Sequence, residues 1–294
     1  MSYQFYIVDV FAEQPYTGNP LAVVVSEHVL PKDSMQKIAA EMNFSETTFV
    51  SPLPEEDGGY RVRIYTPSKE IAFAGHPILG TALVLRDYVI SDKRTQIKLN
   101  LSESQIQVTF EISDDSKEVV WFLAPDMSLG AISAAEPVAT ALGIVSDDID
   151  TRTPIQVVSA GTSAVIVPLC SLDALRRCIL NLEKYSFMVA NGFPPLIYLF
   201  TEQTYHSQND LCVRFFFESH GVREDPATGN GAAFLGAYLL EHQYFPDSNL
   251  SLRIEQGYEV RRPSLIRVRA NMLKGHREVY VGGSVVPIVN GKLL

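Results

Sequence analysis

Two glycine-containing segments, one in each half of the chain, constrain the fold more than any other feature. Residues 73–82 read FAGHPILGTA and residues 224–233 read EDPATGNGAA. Each segment follows a strand-like run and opens into small and apolar residues that are typical of a helix. The start of a helix presents backbone N–H groups that have no partner within the helix, and such a terminus binds anions. We therefore expect two anion sites, in two related halves that hold one carboxylate-bearing ligand.

The order of predicted elements in the second half repeats the order in the first. The matched stretches are 161–167 with 18–25, 171–182 with 31–42, 196–200 with a strand ending at 50, and 213–217 with 62–65. The offset rises from 143 (Gly161 against Gly18) to 154 (Gly229 against Gly75), as small loop insertions would produce. We interpret this as an internal duplication; a chance similarity between two α+β domains is the alternative. Equivalent loops of a duplicated pair would face each other across a cleft.

The length of 294 residues suits two domains of about 150 residues each. We place an N-terminal domain at 1–127 and a C-terminal domain at 128–277, with the active site in the cleft between them. The last stretch, 278–294, can return to the first domain. Helices are predicted over 31–42, from Gly75 to about residue 86, and over 171–182, and a hairpin is predicted over 96–112.

Composition excludes several kinds of partner. The net charge is −10 and the isoelectric point is about 5.1. An acidic chain is unsuited to nucleic acid or to an anionic membrane surface, and no run approaches the ~18 apolar residues that span a bilayer. The N-terminal residues lack the basic stretch of a signal peptide. The three cysteines are odd in number and widely spaced, so we expect reduced thiols in a cytoplasmic protein, with neither a disulfide framework nor a metal site.

Three residues near the loops could carry acid–base chemistry. Glu46 lies where a strand begins, and apolar neighbours would raise its pKa towards neutrality, where a carboxyl group can take and return a proton. The alternative is a solvated glutamate at a strand end. His76 can donate to a substrate carbonyl or amine, or bond a nearby backbone carbonyl as an ordinary loop histidine. Asp225 can act on a ligand, or form an Asx turn or a helix cap.

Several motifs together resemble the PhzF-like phenazine-biosynthesis family. They are GNP at 18–20, NFSETTF at 43–49, AGHPILGTA at 74–82, EDPATG at 224–229, QG at 256–257 and RPS at 262–264. The matches are collinear and cover nearly the whole chain. This family is similar in fold to diaminopimelate epimerase and proline racemase. The resemblance therefore implies an α+β fold of two duplicated domains, each a curled, mostly antiparallel sheet around a central helix, and a homodimer.

The resemblance also implies an activity, namely the isomerisation of a small carboxylated metabolite without a cofactor. Glu46 would carry the proton, and His76 and Asp225 would position and assist the substrate. The backbone around Gly75, Gly229 and Asn230 would cradle the carboxylate.

Three positions depart from the family pattern. Asn230 stands where serine is common, and Arg261 stands where a glycine usually precedes the RPS run. The stretch 161–164 lacks a histidine that often follows its glycine.

The absence of cysteine from both loops bears on the reaction type. Racemases of the related fold place one cysteine at each loop; the corresponding places here are Ala74 and the stretch 225–227. One carboxyl group can remove a proton and replace it elsewhere on the same face, which favours a 1,3 or 1,5 proton shift over racemisation. Two alternatives stay open: a protein that binds a small anion without catalysis, and an epimerase with Glu46 and Asp225 as opposed bases.

Overall fold

The structure is a computed structural model that describes residues 2–28, 30–218 and 224–294. The first elements are β1 (Tyr3–Val10), β2 (Asn19–Val25), α1 (Lys32–Met42), β3 (Glu46–Val50), β4 (Tyr60–Tyr65), β5 (Glu70–Ile71), α2 (Gly75–Val84), a π-helical segment (Leu85–Ile90), β6 (Gln96–Asn100), β7 (Gln105–Ile112) and β8 (Glu118–Leu123). Next come β9 (Ser128–Ser133), α3 (Ala135–Leu142), a 3₁₀ turn (Ser146–Asp148), β10 (Ile155–Ala160), β11 (Thr162–Pro168), α4 (Leu172–Arg177), α5 (Leu182–Ala190), β12 (Ile197–Thr201), β13 (Leu211–Phe216) and β14 (Glu224–Asp225). The last are α6 (Gly229–Glu241), β15 (Leu250–Gln256), β16 (Ser264–Leu273), β17 (His276–Gly283) and β18 (Val285–Leu293).

The chain divides into two compact units. The first unit comprises Met1–Leu123 and Val281–Leu294, and the second comprises Ala124–Tyr280. No helix within the described ranges is long and apolar enough to cross a membrane.

In the first unit, the strands of the sheet pack around helix α2. Strand β1 pairs antiparallel with β2 and β18, β2 pairs parallel with β3, and β3 pairs antiparallel with β4. Every residue of α2 is buried, and the helix contacts β1, β2, β3, β8 and β18. A Cβ on Gly80 would lie 2.6 Å from Leu21 and 3.0 Å from Val8, so glycine lets α2 approach the sheet closely.

The second unit repeats this arrangement around α6. Strand β10 pairs antiparallel with β11, β11 pairs parallel with β12, and β12 pairs antiparallel with β13. Most of α6 is buried, and it packs against β10, β11, β15 and β16. Gly236 has the role of Gly80, because a Cβ there would lie 2.9 Å from Val279.

An arginine–glutamate pair occurs at the same place in both units. Arg63 on β4 donates two hydrogen bonds to Glu70 on β5, at 2.7 and 2.8 Å. Arg214 on β13 donates two to Glu224 on β14, at 2.9 and 2.7 Å. Each pair ties a two-residue strand to its neighbour just before the central helix begins. The shared pairing order and the shared ion pair confirm the predicted α+β fold of two duplicated halves.

The prediction of one continuous helix over 171–182 is wrong, because this stretch contains the whole of the short helix α4 and then the first residue of α5. The Ser171 hydroxyl accepts a bond from Ala174 N (3.1 Å) and caps α4, and the Asn181 side chain accepts one from Lys184 N (3.2 Å) and caps α5. Arg214 ends α4 by donating to the carbonyl oxygen of Cys178 at 2.8 Å. The other local predictions differ only at their ends: α1 begins at Lys32 without a side-chain cap, and α2 continues into the π-helical segment.

Candidate active site

Glu46 is placed by the end of α1 and the start of β3. Asn43 adopts the left-handed conformation (φ 52°, ψ 28°), and its N–H bonds the carbonyl oxygen of Ala39, which ends α1 directly after the predicted range of 31–42. Glu46 then pairs with Leu21 in the parallel ladder of β2 and β3. Its side chain is 12% exposed. The structure thus holds this carboxyl group in a largely enclosed position, and not at a solvated strand end.

His76 contacts Glu46. Its Nε2 lies 3.4 Å from Oε2 of Glu46, and its side chain is 6% exposed. The contact lacks hydrogen-bond geometry, and Nε2 has no hydrogen-bond partner among the described residues. Burial lowers the pKa of His76 to about 3, so the imidazole is neutral at physiological pH. The pair is therefore a carboxyl group beside a neutral ring with one nitrogen available.

The first turn of α2 lies at this pair. Ala74 occupies the N-cap position, and in the described part of the chain no side chain caps the helix. No acidic residue lies in the first turn, and Pro77 has no N–H, so the donors are the N–H groups of Gly75 and His76. An uncapped helix start beside a largely enclosed carboxyl group is suited to a ligand that carries its own negative charge.

Asp225 lies at the equivalent loop of the second unit. It is the second residue of β14, pairs with Phe215 of β13, and is 8% exposed. The hydroxyl of Thr228 donates a hydrogen bond to Oδ2 of Asp225. Gln256 is fully buried; its Nε2 donates to the carbonyl oxygen of Asp225 (2.8 Å), and its Oε1 accepts from Thr228 N (3.1 Å).

Helix α6 begins directly after this group. Thr228 holds the N-cap position, but its hydroxyl makes no cap bond to the helix, and the first turn carries no acidic residue. The N–H groups of Gly229 and Asn230 lie at this uncapped start. The side chain of Asn230 is half-buried, and it makes no hydrogen bond within residues 2–28, 30–218 and 224–294.

Tyr198 lies beneath the start of α6. A Cβ on Gly231 would be 2.5 Å from its ring, so glycine at this position admits the tyrosine. Tyr198 is fully buried, and its hydroxyl has no hydrogen-bond partner in the part of the chain described. Burial, together with the nearby Asp225, raises the pKa of Tyr198 well above its usual value.

The QG and RPS motifs explain how the Asp225 loop is supported. Gly257 has φ +82°, and a Cβ there would lie 2.3 Å from Arg262 O and 2.5 Å from Pro226 O. The Ser264 hydroxyl donates to Pro226 O at 3.0 Å. Arg261 has φ +60°, so an arginine keeps the left-handed turn where glycine is common. This departure from the family pattern leaves the turn intact.

The two ladders define which residues are equivalent in the two units. Arg63 faces Phe49 across β3 and β4, and Arg214 faces Leu199 across β12 and β13. Glu46 lies three residues before Phe49, and Leu196 lies three residues before Leu199. Leu196 is therefore the residue of the second unit that is equivalent to Glu46. By the same alignment, Asp225 is equivalent to Ile71, and Asn230 is equivalent to His76. Each unit therefore carries polar groups that the other lacks.

The structure brings Glu46 and His76 together in the first unit, and it places Asp225, Gly229 and Asn230 at one loop of the second. Sequence reasoning missed Thr228, Gln256 and Tyr198; the QG motif marked Gln256 but gave it no role. The cysteines Cys170, Cys178 and Cys212 are free and lie outside both loops. Across the described ranges, no group of three or more histidine, cysteine, aspartate or glutamate side chains is arranged to hold a metal ion.

The architecture is a duplicated α+β fold, in which two units of matching topology are each built around a central helix with an uncapped start. A family model described as phenazine biosynthesis-like protein (PhzC-PhzF) matches residues 8–291. The chain belongs to this family.

Individual relatives agree. The chain is 33% identical to an uncharacterized isomerase of Pasteurella multocida, over 99% of this chain and 94% of the relative. It is also 33% identical to trans-2,3-dihydro-3-hydroxyanthranilate isomerase of Pseudomonas aeruginosa, over 91% of this chain and 90% of the relative. The crystal structure of a PhzF-family phenazine biosynthesis protein of Bacillus anthracis matches with a TM-score of 0.90 at 24% identity, over 100% of this chain and 99% of that one, which shows the shared fold.

Proposed function

We propose that the protein is an isomerase that moves a proton between two carbons of a small carboxylated amino or hydroxy acid. Family membership and two relatives that are named isomerases support the reaction class. The observation that carries the proposal is the contact of 3.4 Å between Glu46 and a neutral His76 at the uncapped start of α2.

In the proposed reaction, the Glu46 carboxylate removes a proton from a carbon next to a double bond. The electron pair delocalises into the conjugated system, and the negative charge that develops is stabilised by N–H groups at a helix start. The protonated Glu46 then returns the same proton to another carbon of that system, on the same face. The double bond shifts, no electrons are lost or gained, and the reaction is a 1,3 or 1,5 proton shift.

His76 and Asp225 have supporting roles in this proposal. A neutral His76 can donate through one ring nitrogen and accept through the other, and burial keeps it in this form. Asp225 offers a carboxylate held by Thr228 to a hydroxyl or amino group of the substrate. The backbone of Gly75, Gly229 and Asn230 would bind the substrate carboxylate. That both loops serve one ligand stays a prediction from the sequence.

A matched pair of variants tests the proposal. The probe substrate is trans-2,3-dihydro-3-hydroxyanthranilate, because a relative at 33% identity is named for it. Glu46→Gln keeps the shape of the side chain and removes the base, so turnover should fall at least about a thousandfold. Binding of 2-aminobenzoate, measured by calorimetry, should change by less than about threefold. Full turnover by Glu46→Gln would refute the proton-carrying role.

Glu103→Gln serves as the control, since Glu103 is an exposed glutamate of the first unit that lies between β6 and β7, outside both loops. The same measurements address the binding-protein alternative. That alternative predicts that wild-type protein binds 2-aminobenzoate and turns over no carboxylated probe.

A further inference from the structure

The hydrogen bonds around Thr228 have a fixed direction. Its N–H donates to Oε1 of Gln256 at 3.1 Å, and its Oγ1 accepts from Nε2 of Gln256 at 3.1 Å. The one proton of the hydroxyl is then left for Asp225, and the hydroxyl donates it to Oδ2. A threonine at the start of a helix usually accepts a bond from a helix N–H with this same oxygen. Here Gln256 and Asp225 engage the hydroxyl instead.

The orientation of the Gln256 amide is determined by its partners. Its oxygen must face the Thr228 N–H, which only donates, and its nitrogen must face the carbonyl oxygen of Asp225 at 2.8 Å, which only accepts. In a flipped amide, the NH₂ group would face the Thr228 N–H, donor against donor. The amide oxygen would face the carbonyl oxygen of Asp225, acceptor against acceptor. Because Gln256 is fully buried, water cannot compensate for a wrong orientation.

We propose that Gln256 and Thr228 are positioning residues that act through Asp225: Gln256 orients the Thr228 hydroxyl, and this hydroxyl fixes the Asp225 carboxylate. The arrangement has a second effect. Because the Thr228 hydroxyl is used for Asp225, the start of α6 remains uncapped, and its N–H groups stay available to an anion. This inference rests on the proposed function, since it assigns Asp225 to the substrate.

We call this positioning of Asp225 by Gln256 and Thr228 the relay. Two isosteric changes test it. Thr228→Val removes the hydroxyl and keeps the shape and the backbone N–H groups. We expect kcat for trans-2,3-dihydro-3-hydroxyanthranilate to fall about tenfold or more while KM changes less than about threefold, because orientation is lost and the backbone anion site remains. Thr228→Ser restores the hydroxyl and should recover most of the loss. Gln256→Glu puts an oxygen where Nε2 was, so the Thr228 hydroxyl would turn away from Asp225, with a loss of similar size.

Thr201→Val is the matched control. Thr201 is a buried threonine on β12 of the same unit, and its one hydroxyl hydrogen bond among the described residues is accepted from a nearby loop N–H at 3.4 Å. It should leave kcat and KM unchanged. Thermal unfolding of each variant identifies any that fail to fold. If Gln256→Glu fails to fold, the comparison of Thr228→Val with wild type and with Thr201→Val decides the question.

A second readout does not depend on activity. The ¹³C resonance of the Asp225 carboxyl group, followed against pH, should show a higher titration midpoint in Thr228→Val than in wild type or Thr228→Ser, because a lost donor disfavours the charged form. If wild type fails to turn over the probe, the proposed function falls and this titration still decides the relay. If wild type is active but Thr228→Val matches it in both kcat and the Asp225 titration, the relay is refuted and the proposed function stands.

Discussion

Glu46 and Leu196 occupy equivalent positions in the two halves of the chain, each three residues before the residue that faces the ion-paired arginine of its own unit. Glu46 is largely enclosed, and Leu196 is buried. The duplicated scaffold therefore supplies a carboxyl group at this position once only. A pair of symmetry-related bases, of the kind that inverts a stereocentre from two faces, is not present at these positions.

A single base at position 46 predicts the fate of the transferred proton. When the reaction runs in D₂O with trans-2,3-dihydro-3-hydroxyanthranilate, we expect NMR to show the original hydrogen, and not full solvent deuterium, at the carbon that accepts the proton. No stereocentre of the recovered substrate should invert. Solvent deuterium at an inverted centre would instead favour an epimerase with Glu46 and Asp225 as opposed bases.

The lowered pKa of His76 leads us to expect that the free energy of unfolding depends on pH. Its pKa in the folded protein is about 3, below its usual value of 6.5, so the unfolded chain binds the proton more tightly. The free energy of unfolding should therefore fall as the pH drops below 6.5. Between pH 7.5 and 5.5 this histidine should account for a loss of about 1.4 kcal/mol.

Urea unfolding at both pH values, for wild type and His76→Gln, measures this difference. Wild type should lose more stability than the variant on acidification. His28→Gln, at an exposed histidine, is the control. Identical losses in wild type and His76→Gln would mean that the imidazole is protonated in the folded state at pH 5.5.

The two arginine–glutamate pairs should differ in their contribution to stability. Arg214 and Glu224 are each 7% exposed, whereas Arg63 and Glu70 are 27% and 20% exposed. Arg214→Met leaves a buried carboxylate without its partner and should lower the free energy of unfolding by about 3–5 kcal/mol. Arg63→Met should lower it by about 1–2 kcal/mol.

Equilibrium unfolding in urea would rank these variants. The double variant Arg214→Met/Glu224→Leu should recover part of the loss, because it removes the stranded charge as well. Equal effects at the two arginines would contradict the importance of burial.

Alanine substitutions at Gly257 and Gly161 distinguish the destabilisation caused by backbone strain from that caused by a steric clash. Both have a positive φ, +82° and +71°, but a Cβ on Gly161 meets nothing within 4 Å, whereas one on Gly257 meets two carbonyl oxygens. Gly161→Ala should destabilise by about 1 kcal/mol through strain alone. Gly257→Ala should destabilise by about 3 kcal/mol or more, and should also displace the Asp225 loop. Thermal unfolding compares the two, and equal losses would exclude the clash.

Features that depend on neighbours in sequence could be predicted. The strand Tyr3–Val10, the hairpin formed by Gln96–Asn100 and Gln105–Ile112, and the end of α1 at Asn43 follow from alternation, turn residues and capping. The helix starts at Gly75 and Gly229 follow from the two glycine-containing segments; that they bind an anion stays a prediction. The resemblance, carried by short motifs in collinear order, correctly implied the family and the fold.

Features that depend on distant contacts could not be predicted. The break between α4 and α5 depends on Arg214, which lies 36 residues beyond Cys178, whose carbonyl oxygen it binds. Gln256 reaches Thr228 and Asp225 from 28 and 31 residues away. Likewise, the neutrality of His76 follows from burial within α2 and its sheet, which no local pattern expresses.

The repeated arginine–glutamate pair has a consequence for redesign. The pair occurs in both units although the side chains at three paired positions (46 and 196, 71 and 225, 76 and 230) differ between the units. These six positions are therefore the ones to vary within a shared architecture. An engineer could exchange side chains between equivalent positions of the two units to seek new substrates, and keep unchanged the central helices and the arginine–glutamate pairs that both halves share.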